Sequence, residues 1–175
     1  MMRVKIEQIA NIAVILLALV VGAFFLKDRL SYDPQPKQIR VGDKLLSLDG
    51  WDWSAHESTL VLVLRKGCHF CEDSAPFYQR LAGMQKQGGS ASSIVAVFPD
   101  SAEVVEHVVQ SEGLEIQTVS GVSFEGLKIS GTPTLLLVDK RGVVLNSWIG
   151  VLSPRQELEV IKAMVCADRN CREPS

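Results

Sequence analysis

Two of the four cysteines of this 175-residue chain are separated by two residues, in Cys68-His69-Phe70-Cys71. The spacing puts the thiols one helical turn apart, so that a mixed disulfide formed at one thiol can be resolved by the other. The motif follows a buried apolar run and opens a helical pattern, and a helix N-terminus stabilises a thiolate. We therefore predict that Cys68, at the exposed helix tip, is the nucleophile and that Cys71, one turn inside, resolves.

Two other interpretations of this motif are half of a zinc site and an inert pair of thiols. A structural zinc site needs two further ligands, and the chain has no second C-x-x-C and no histidine pair at ligand spacing. His56 and His107 are isolated in the sequence. We therefore favour redox chemistry, with no metal and no cofactor.

The side chains around the motif are expected to tune its thiols. Positive charge from Arg65, Lys66 and a partly protonated His69 favours the thiolate of Cys68, whose pKa we predict below the ordinary value of about 8.5. Phe70 completes the pair of residues between the cysteines. Reactivity is therefore expected to concentrate at Cys68.

Two prolines lie at positions where they constrain the elements near the thiols. Pro76 falls five residues after Cys71, inside the predicted helix, and is expected to kink it by removing a backbone hydrogen bond. Pro133, in Thr132-Pro133-Thr134, opens an apolar strand at a position where no ladder donor is needed.

A second cysteine pair, Cys166 and Cys171, flanks the end of the last predicted helix. The two residues are close enough for a local structural disulfide, which we favour. A second redox pair and unpaired thiols are the alternatives.

The elements predicted around these residues alternate between strand and helix patterns. Strands are predicted at 45–48, 51–53, 59–64, 94–98, 116–119, 134–138 and 143–149, and helices at 71–84, 101–112, 124–129 and 153–165. Ser153 and Gln156 form a capping box for the last helix. This order predicts one α/β domain with a mixed sheet.

The first 30 residues differ in character from the rest of the chain. No charge occurs between Gln8 and Leu26, and these 19 residues would cover roughly 28 Å as a helix, about the thickness of a bilayer core. A buried core helix and a signal peptide cleaved near Val21-Gly22-Ala23 are the alternatives. The apolar run continues past Ala23, so we predict an uncleaved signal-anchor helix at about 6–26.

Composition separates this segment from a mildly acidic body. The net charge is −2 overall, and charged residues make up 22% of the chain, which argues against a basic nucleic-acid-binding surface and against a highly charged disordered chain. We assign 1–30 to the membrane anchor, 31–42 with Pro34 and Pro36 to a linker, and 43–175 to the folded domain.

The C-x-x-C motif, Pro76 and the sequence Gly131-Thr132-Pro133-Thr134 together resemble thioredoxin-fold proteins over roughly residues 41–165. The opening VGDKLLSLDGW and the helix–strand–helix insert at 101–129 are similar to the TlpA/ResA-like branch. The resemblance implies a thioredoxin-like three-layer sandwich, a cis bond before Pro133, and a substrate groove at Thr132 and Pro133 beside Cys68.

The chain departs from the thioredoxin pattern near the second thiol. Leu62 stands where thioredoxins proper carry a buried aspartate, so the proton of Cys71 must leave by another route. Glu72 and Asp73 are candidates for this role, although carboxylates in the first turn of a helix are more often plain partners of its dipole.

The function that the motif and the resemblance imply is thiol–disulfide exchange with other proteins. Members of that branch are typically membrane-tethered oxidoreductases outside the cytoplasm, with roles such as keeping apocytochrome thiols reduced in cytochrome c biogenesis. We expect a single-pass protein of the bacterial inner membrane whose redox domain faces the periplasm or exterior. Protein thiols and a membrane electron donor or acceptor would be its partners. A metal-handling assembly factor and a non-catalytic interaction module are the alternatives.

Overall fold

The structure is a computed structural model that describes residues 15–17, 20–21, 38–88 and 92–169. Contacts divide the chain into two units, Met1–Gln35 and Pro36–Ser175. The described residues of the first unit are helical. Within the described ranges, no helix is both long and apolar enough to cross a membrane. Most of the anchor predicted at 1–30 and most of the predicted linker lie outside these ranges.

The second unit is built on a five-stranded mixed sheet in the order β3-β2-β1-β4-β5. The strands are β1 (Ser58–Val63), β2 (Ser93–Val97), β3 (Gln117–Val119), β4 (Thr134–Asp139) and β5 (Val144–Ile149). Strands β1, β2 and β3 run parallel, whereas β4 is antiparallel to both of its neighbours. The prediction of an α/β fold with a mixed sheet is therefore confirmed.

The central strands are the apolar runs of the sequence. Every residue of β1 and β2 is buried, as expected for strands that are covered on both faces. Their alternate side chains point to opposite faces, so that Leu60 and Leu62 join one hydrophobic core and Val61 and Val63 the other.

Three α-helices follow strands in the chain: α1 (His69–Lys86), α2 (Ala102–Ser111) and α3 (Pro154–Arg169). All three contribute to the core on one face of the sheet, with Phe77, Val105 and Val160 among their buried residues. The predicted capping box of α3 is present, because the Ser153 N–H donates to Gln156 Oε1 at 3.0 Å and the Gln156 N–H donates to Ser153 Oγ at 3.4 Å.

The other face of the sheet is covered by irregular chain rather than by α-helix in the described residues. Side chains from 38–53 and from 122–129 form its core with the sheet, with Leu48, Trp51 and Leu127 buried there. The predicted three-layer arrangement therefore has one outer layer of helices and one of loops.

The prediction of short strands at 45–48 and 51–53 was wrong. The residue before this segment, Lys44, makes an isolated bridge to Val143, which precedes β5, and residues Trp53–Ala55 form a 3₁₀ helix. Asp52 caps this turn by accepting a hydrogen bond from the Ser54 N–H at 2.9 Å. Leu45, Leu48 and Trp51 are buried in the core without a partner strand, whereas Leu46 is exposed.

The prediction of a helix at 124–129 was also wrong. The segment forms a single helical turn that ends at Ile129. The Ile129 N–H donates to the Phe124 carbonyl, and the Lys128 N–H donates to the Glu125 carbonyl. Lys128 has a φ of 56°, in the left-handed region that ends helices. The other predicted elements are present with shifted ends; α1, for example, begins at His69 rather than at Cys71.

Candidate active site

The site begins at the turn that joins β1 to α1. Gly67 has a φ of +66°, a conformation in which a residue with a side chain would be strained. The Lys66 N–H donates to the carboxylate of Asp100, at 3.0 Å, and so ties this turn to the loop that follows β2. The turn delivers Cys68 to the N-cap position of α1.

Cys68 and Cys71 are bonded as a disulfide, with their Cα atoms 5.2 Å apart. The Cys71 N–H donates to Cys68 Sγ at 3.2 Å, so Cys68 caps the helix through its sulfur. The residues are 8% and 9% exposed, so the expected contrast between an exposed Cys68 and an inner Cys71 is not observed. Only their places differ, with Cys68 at the cap and Cys71 in the first turn.

The loop before β4 lies directly against the disulfide. Val63, which ends β1, pairs with Thr134, which begins β4. The residues after β1 and those before β4 therefore lie at the same end of these two neighbouring strands. The Thr132–Pro133 bond is cis, and Thr132 Oγ1 donates to Cys68 Sγ at 3.3 Å. The predicted cis bond beside Cys68 is confirmed.

The expected tuning residues occupy different surroundings. His69 is 79% exposed, and its Nε2 lies 3.6 Å from the carboxylate of Asp73. Phe70 is 58% exposed and its ring lies against that of His69, with ring centroids 5.9 Å apart. His69 and Asp73 therefore form an exposed pair on the first turns of α1.

The two carboxylates proposed as proton acceptors are separated by the fold. Glu72 and Lys66 line a groove whose wall also includes both cysteines. Asp73 is not part of that wall and faces His69 instead. Of the two, Glu72 is therefore better placed to exchange a proton with Cys71. Leu62 is fully buried in the same core as the cysteines.

Several residues that line this groove carried no signal in the sequence. His107 and Val108 come from α2, while Phe98 and Leu114 come from the ends of other segments. Their positions depend on how α2 packs beside α1, which a linear motif does not encode. Ser101 is the N-cap residue of α2, and the neighbouring Asp100 accepts the hydrogen bond from Lys66.

The second cysteine pair is only partly described. Cys166 is exposed on α3, and Cys171 lies outside the described residues, so the predicted disulfide between them stays a prediction. Across the described part of the chain, no three His, Cys, Asp or Glu residues cluster as a metal site.

Comparison with known proteins places this domain among thioredoxin-like structures. No protein-family model matches the chain, and no curated protein matches its sequence. A thiol:disulfide interchange protein from Bacteroides sp. superimposes with a TM-score of 0.58 at 17% identity, covering 72% of this chain and 91% of that one. The thioredoxin domain of a thiol-disulfide oxidoreductase from Bacteroides vulgatus gives 0.56 at 18% identity, over 73% and 99% of the chains.

A structure from another organism gives the same result. A thiol-disulfide isomerase from Corynebacterium glutamicum has a TM-score of 0.53 at 14% identity, and the match covers 76% of this chain and 97% of that one. At these identities the likeness concerns the fold alone. The domain that carries the Cys68–Cys71 disulfide therefore has the thioredoxin-like fold that the sequence motifs imply.

Proposed function

We propose that this protein is a thiol–disulfide oxidoreductase that exchanges disulfides with other proteins through Cys68 and Cys71. One observation carries the proposal: the disulfide spans the first turn of α1 and receives a hydrogen bond from Thr132, in the loop with the cis bond before Pro133. A disulfide held at a helix N-terminus is well placed for exchange, since that position stabilises the thiolate formed on reduction.

The exchange proceeds through two displacements. In the reductive direction, the Cys68 thiolate attacks one sulfur of a substrate disulfide, and the other substrate sulfur leaves as a thiolate and takes up a proton. Cys71, after losing its proton, attacks Cys68 in the mixed disulfide and releases the second substrate thiol. Two electrons pass from the dithiol to the substrate, and oxidation of a substrate follows the same steps in reverse.

Apolar surface beside the disulfide supports a protein as the substrate. Phe70 is exposed between the two cysteines. Ile149 is 53% exposed and pairs with Thr134 at the start of β4, and the adjoining Gly150 N–H donates to the Pro133 carbonyl at 2.8 Å. An extended polypeptide could therefore bury apolar side chains next to its own cysteine.

Single-cysteine variants test the roles of the thiols. The full chain should reduce the disulfides of insulin with dithiothreitol as electron source, and both Cys68→Ser and Cys71→Ser should abolish turnover. When the reduced variants are freed of dithiothreitol and mixed with insulin, Cys71→Ser should accumulate a mixed disulfide that added dithiothreitol cleaves, whereas Cys68→Ser should accumulate none. Cys166→Ser, outside the site, is the matched control and should turn over normally. Trapping by Cys68→Ser instead would reverse the roles.

We also propose that the N-terminal segment tethers the protein in the inner membrane, with its redox domain outside the cytoplasm and a membrane electron donor or acceptor serving the dithiol. The uncharged run from Gln8 to Leu26 supports this part of the proposal. Sequencing the N-terminus of the mature protein from the membrane fraction tests it. A mature chain that begins at Phe24 would contradict it.

A further inference from the structure

The groove beside the disulfide has an apolar floor and is partly open to solvent. Its volume is about 270 Å³, and Cys68 and Cys71 form part of its wall. Leu64, Phe98 and Leu114 are buried residues that line it. Neither Thr132 nor Pro133 belongs to its wall, so the groove is distinct from the surface at the loop before β4.

We propose that this groove binds a large apolar side chain of the substrate polypeptide, located one or two residues from the substrate cysteine. The inference rests on the proposed function and adds a sequence preference to it. The α2 helix supplies the outer wall through Val108 and Ser111, so this helix becomes a specificity element of the enzyme.

The position of the groove determines what can occupy it. A substrate bonded to Cys68 is held at the groove wall throughout the exchange. An extended chain advances about 3.3 Å per residue, which brings the immediate neighbours of the substrate cysteine within reach of the floor. The occupant is therefore a part of the same polypeptide that forms the mixed disulfide.

Size and charge point to an apolar side chain rather than to a separate ligand. Pockets for drug-sized molecules usually measure about 300 to 1,000 Å³, and this groove, at about 270 Å³, lies just below that range. Its rim carries both signs of charge, with Arg65 and Lys66 as cations and Glu72 and Glu112 as carboxylates. The rim therefore offers no net attraction for a charged group, while the floor favours burial of apolar surface.

Two peptide substrates and two variants test the inference. The substrates are the symmetrical disulfides of the blocked tripeptides Leu-Cys-Leu and Ser-Cys-Ser, in which attack on either sulfur bonds the same peptide to Cys68. Ser111→Trp fills the groove from the exposed end of α2. Gln110→Trp adds the same bulk at the neighbouring exposed position, which does not line the groove, and is the matched control. Circular dichroism and thermal unfolding verify that both variants fold.

The quantity to compare among the proteins is the kcat/KM for the leucine peptide divided by the kcat/KM for the serine peptide. The parent protein should reduce the leucine peptide about tenfold faster than the serine peptide, as expected for an apolar pocket. Ser111→Trp should bring the ratio close to one by slowing the leucine peptide alone, and Gln110→Trp should keep the parent ratio.

Equal rates in the parent, or a preference that survives Ser111→Trp, would overturn the inference and leave the proposed function standing. If the parent reduces neither peptide nor insulin, the proposed function itself fails.

Discussion

The hydrogen bond from Thr132 to Cys68 makes a prediction about the reactivity of the first thiol. In the disulfide, Cys68 Sγ is a weak acceptor that receives the Thr132 hydroxyl at 3.3 Å and the Cys71 N–H at 3.2 Å. Reduction converts this sulfur into a thiolate, which accepts the same bonds more strongly. Replacing Thr132 by valine keeps the branched shape and removes the hydroxyl donor alone.

The magnitude follows from the bond that is lost. Hydrogen bonds to charged groups contribute about 1.5 to 3 kcal/mol. Because the Thr132 hydroxyl is half-buried and the bond is long, we take about 1 kcal/mol, equivalent to about 0.7 of a pH unit. Loss of the donor raises the pH midpoint for alkylation of Cys68 by that amount. Loss of the donor also destabilises the reduced state. At pH values above the midpoint, it therefore lowers the reduction potential by about 20 mV.

The assay is alkylation of the reduced protein with limiting iodoacetamide from pH 5 to 9, followed by peptide mapping to separate labels on Cys68 from labels on Cys71. Thr132→Ser retains a hydroxyl donor and is the matched control, with a midpoint close to that of the parent. A midpoint that is unchanged in Thr132→Val would refute the idea that this hydroxyl stabilises the thiolate. Equal shifts in both variants would assign the effect to packing.

Two further predictions concern the stability of the oxidised domain. Burial raises the pKa of Tyr78 to about 12 from 10.0, against a smaller lowering by Ser74. The folded protein holds the Tyr78 proton more tightly than the unfolded chain does. The contribution of this group to the free energy of unfolding is therefore complete below pH 10 and is lost as the pH rises towards 12. Unfolding in urea at pH 9 and pH 12 should show a loss of about 2 kcal/mol that Tyr78→Phe lacks; an equal loss in the variant would contradict this. Ser92 joins buried Ser58 (Oγ–Oγ 2.5 Å) and donates to the Met164 carbonyl at 3.1 Å. Ser92→Ala should therefore lower the free energy of unfolding in urea by about 1 to 3 kcal/mol, and an unchanged urea midpoint would show that this connection does not stabilise the fold.

The central strands and the capped helices could be predicted from the sequence because their signals are local. The run Thr59–Leu64 is apolar after its first residue and becomes β1 with a shift of one residue. Ser153 and Gln156 carry their capping geometry in two side chains three residues apart. Elements of this kind need no information from the rest of the chain.

The failures occurred where tertiary contacts decide the conformation. Residues 45–48 read Leu-Leu-Ser-Leu and are apolar enough for a strand, yet they have no partner strand, and burial of Leu45 and Leu48 accounts for the apolar side chains equally well. Residues 124–129 have helical spacing, but a turn closed by Lys128 with positive φ leaves no length for a helix. Periodicity reports which side chains are buried and does not report what covers them.

The candidate site divides in the same way. The chemistry at Cys68 and Cys71 is encoded by two residues at fixed spacing. The approach of Thr132 follows from the pairing of Val63 with Thr134, across more than 60 residues of chain, and only the family resemblance made it predictable.

The groove illustrates the part of function that a linear motif does not carry. Its walls come from four separate segments, and α2 contributes just one fully buried residue, Val105, among the residues described for it. Most of α2 is therefore surface, and exposed residues such as Ser111 can change with little cost to the core, whereas the half-buried Val108 also packs against it. If the groove binds the substrate as proposed, α2 is where this protein can alter its choice of substrate while the disulfide and the loop at Pro133 keep the chemistry constant.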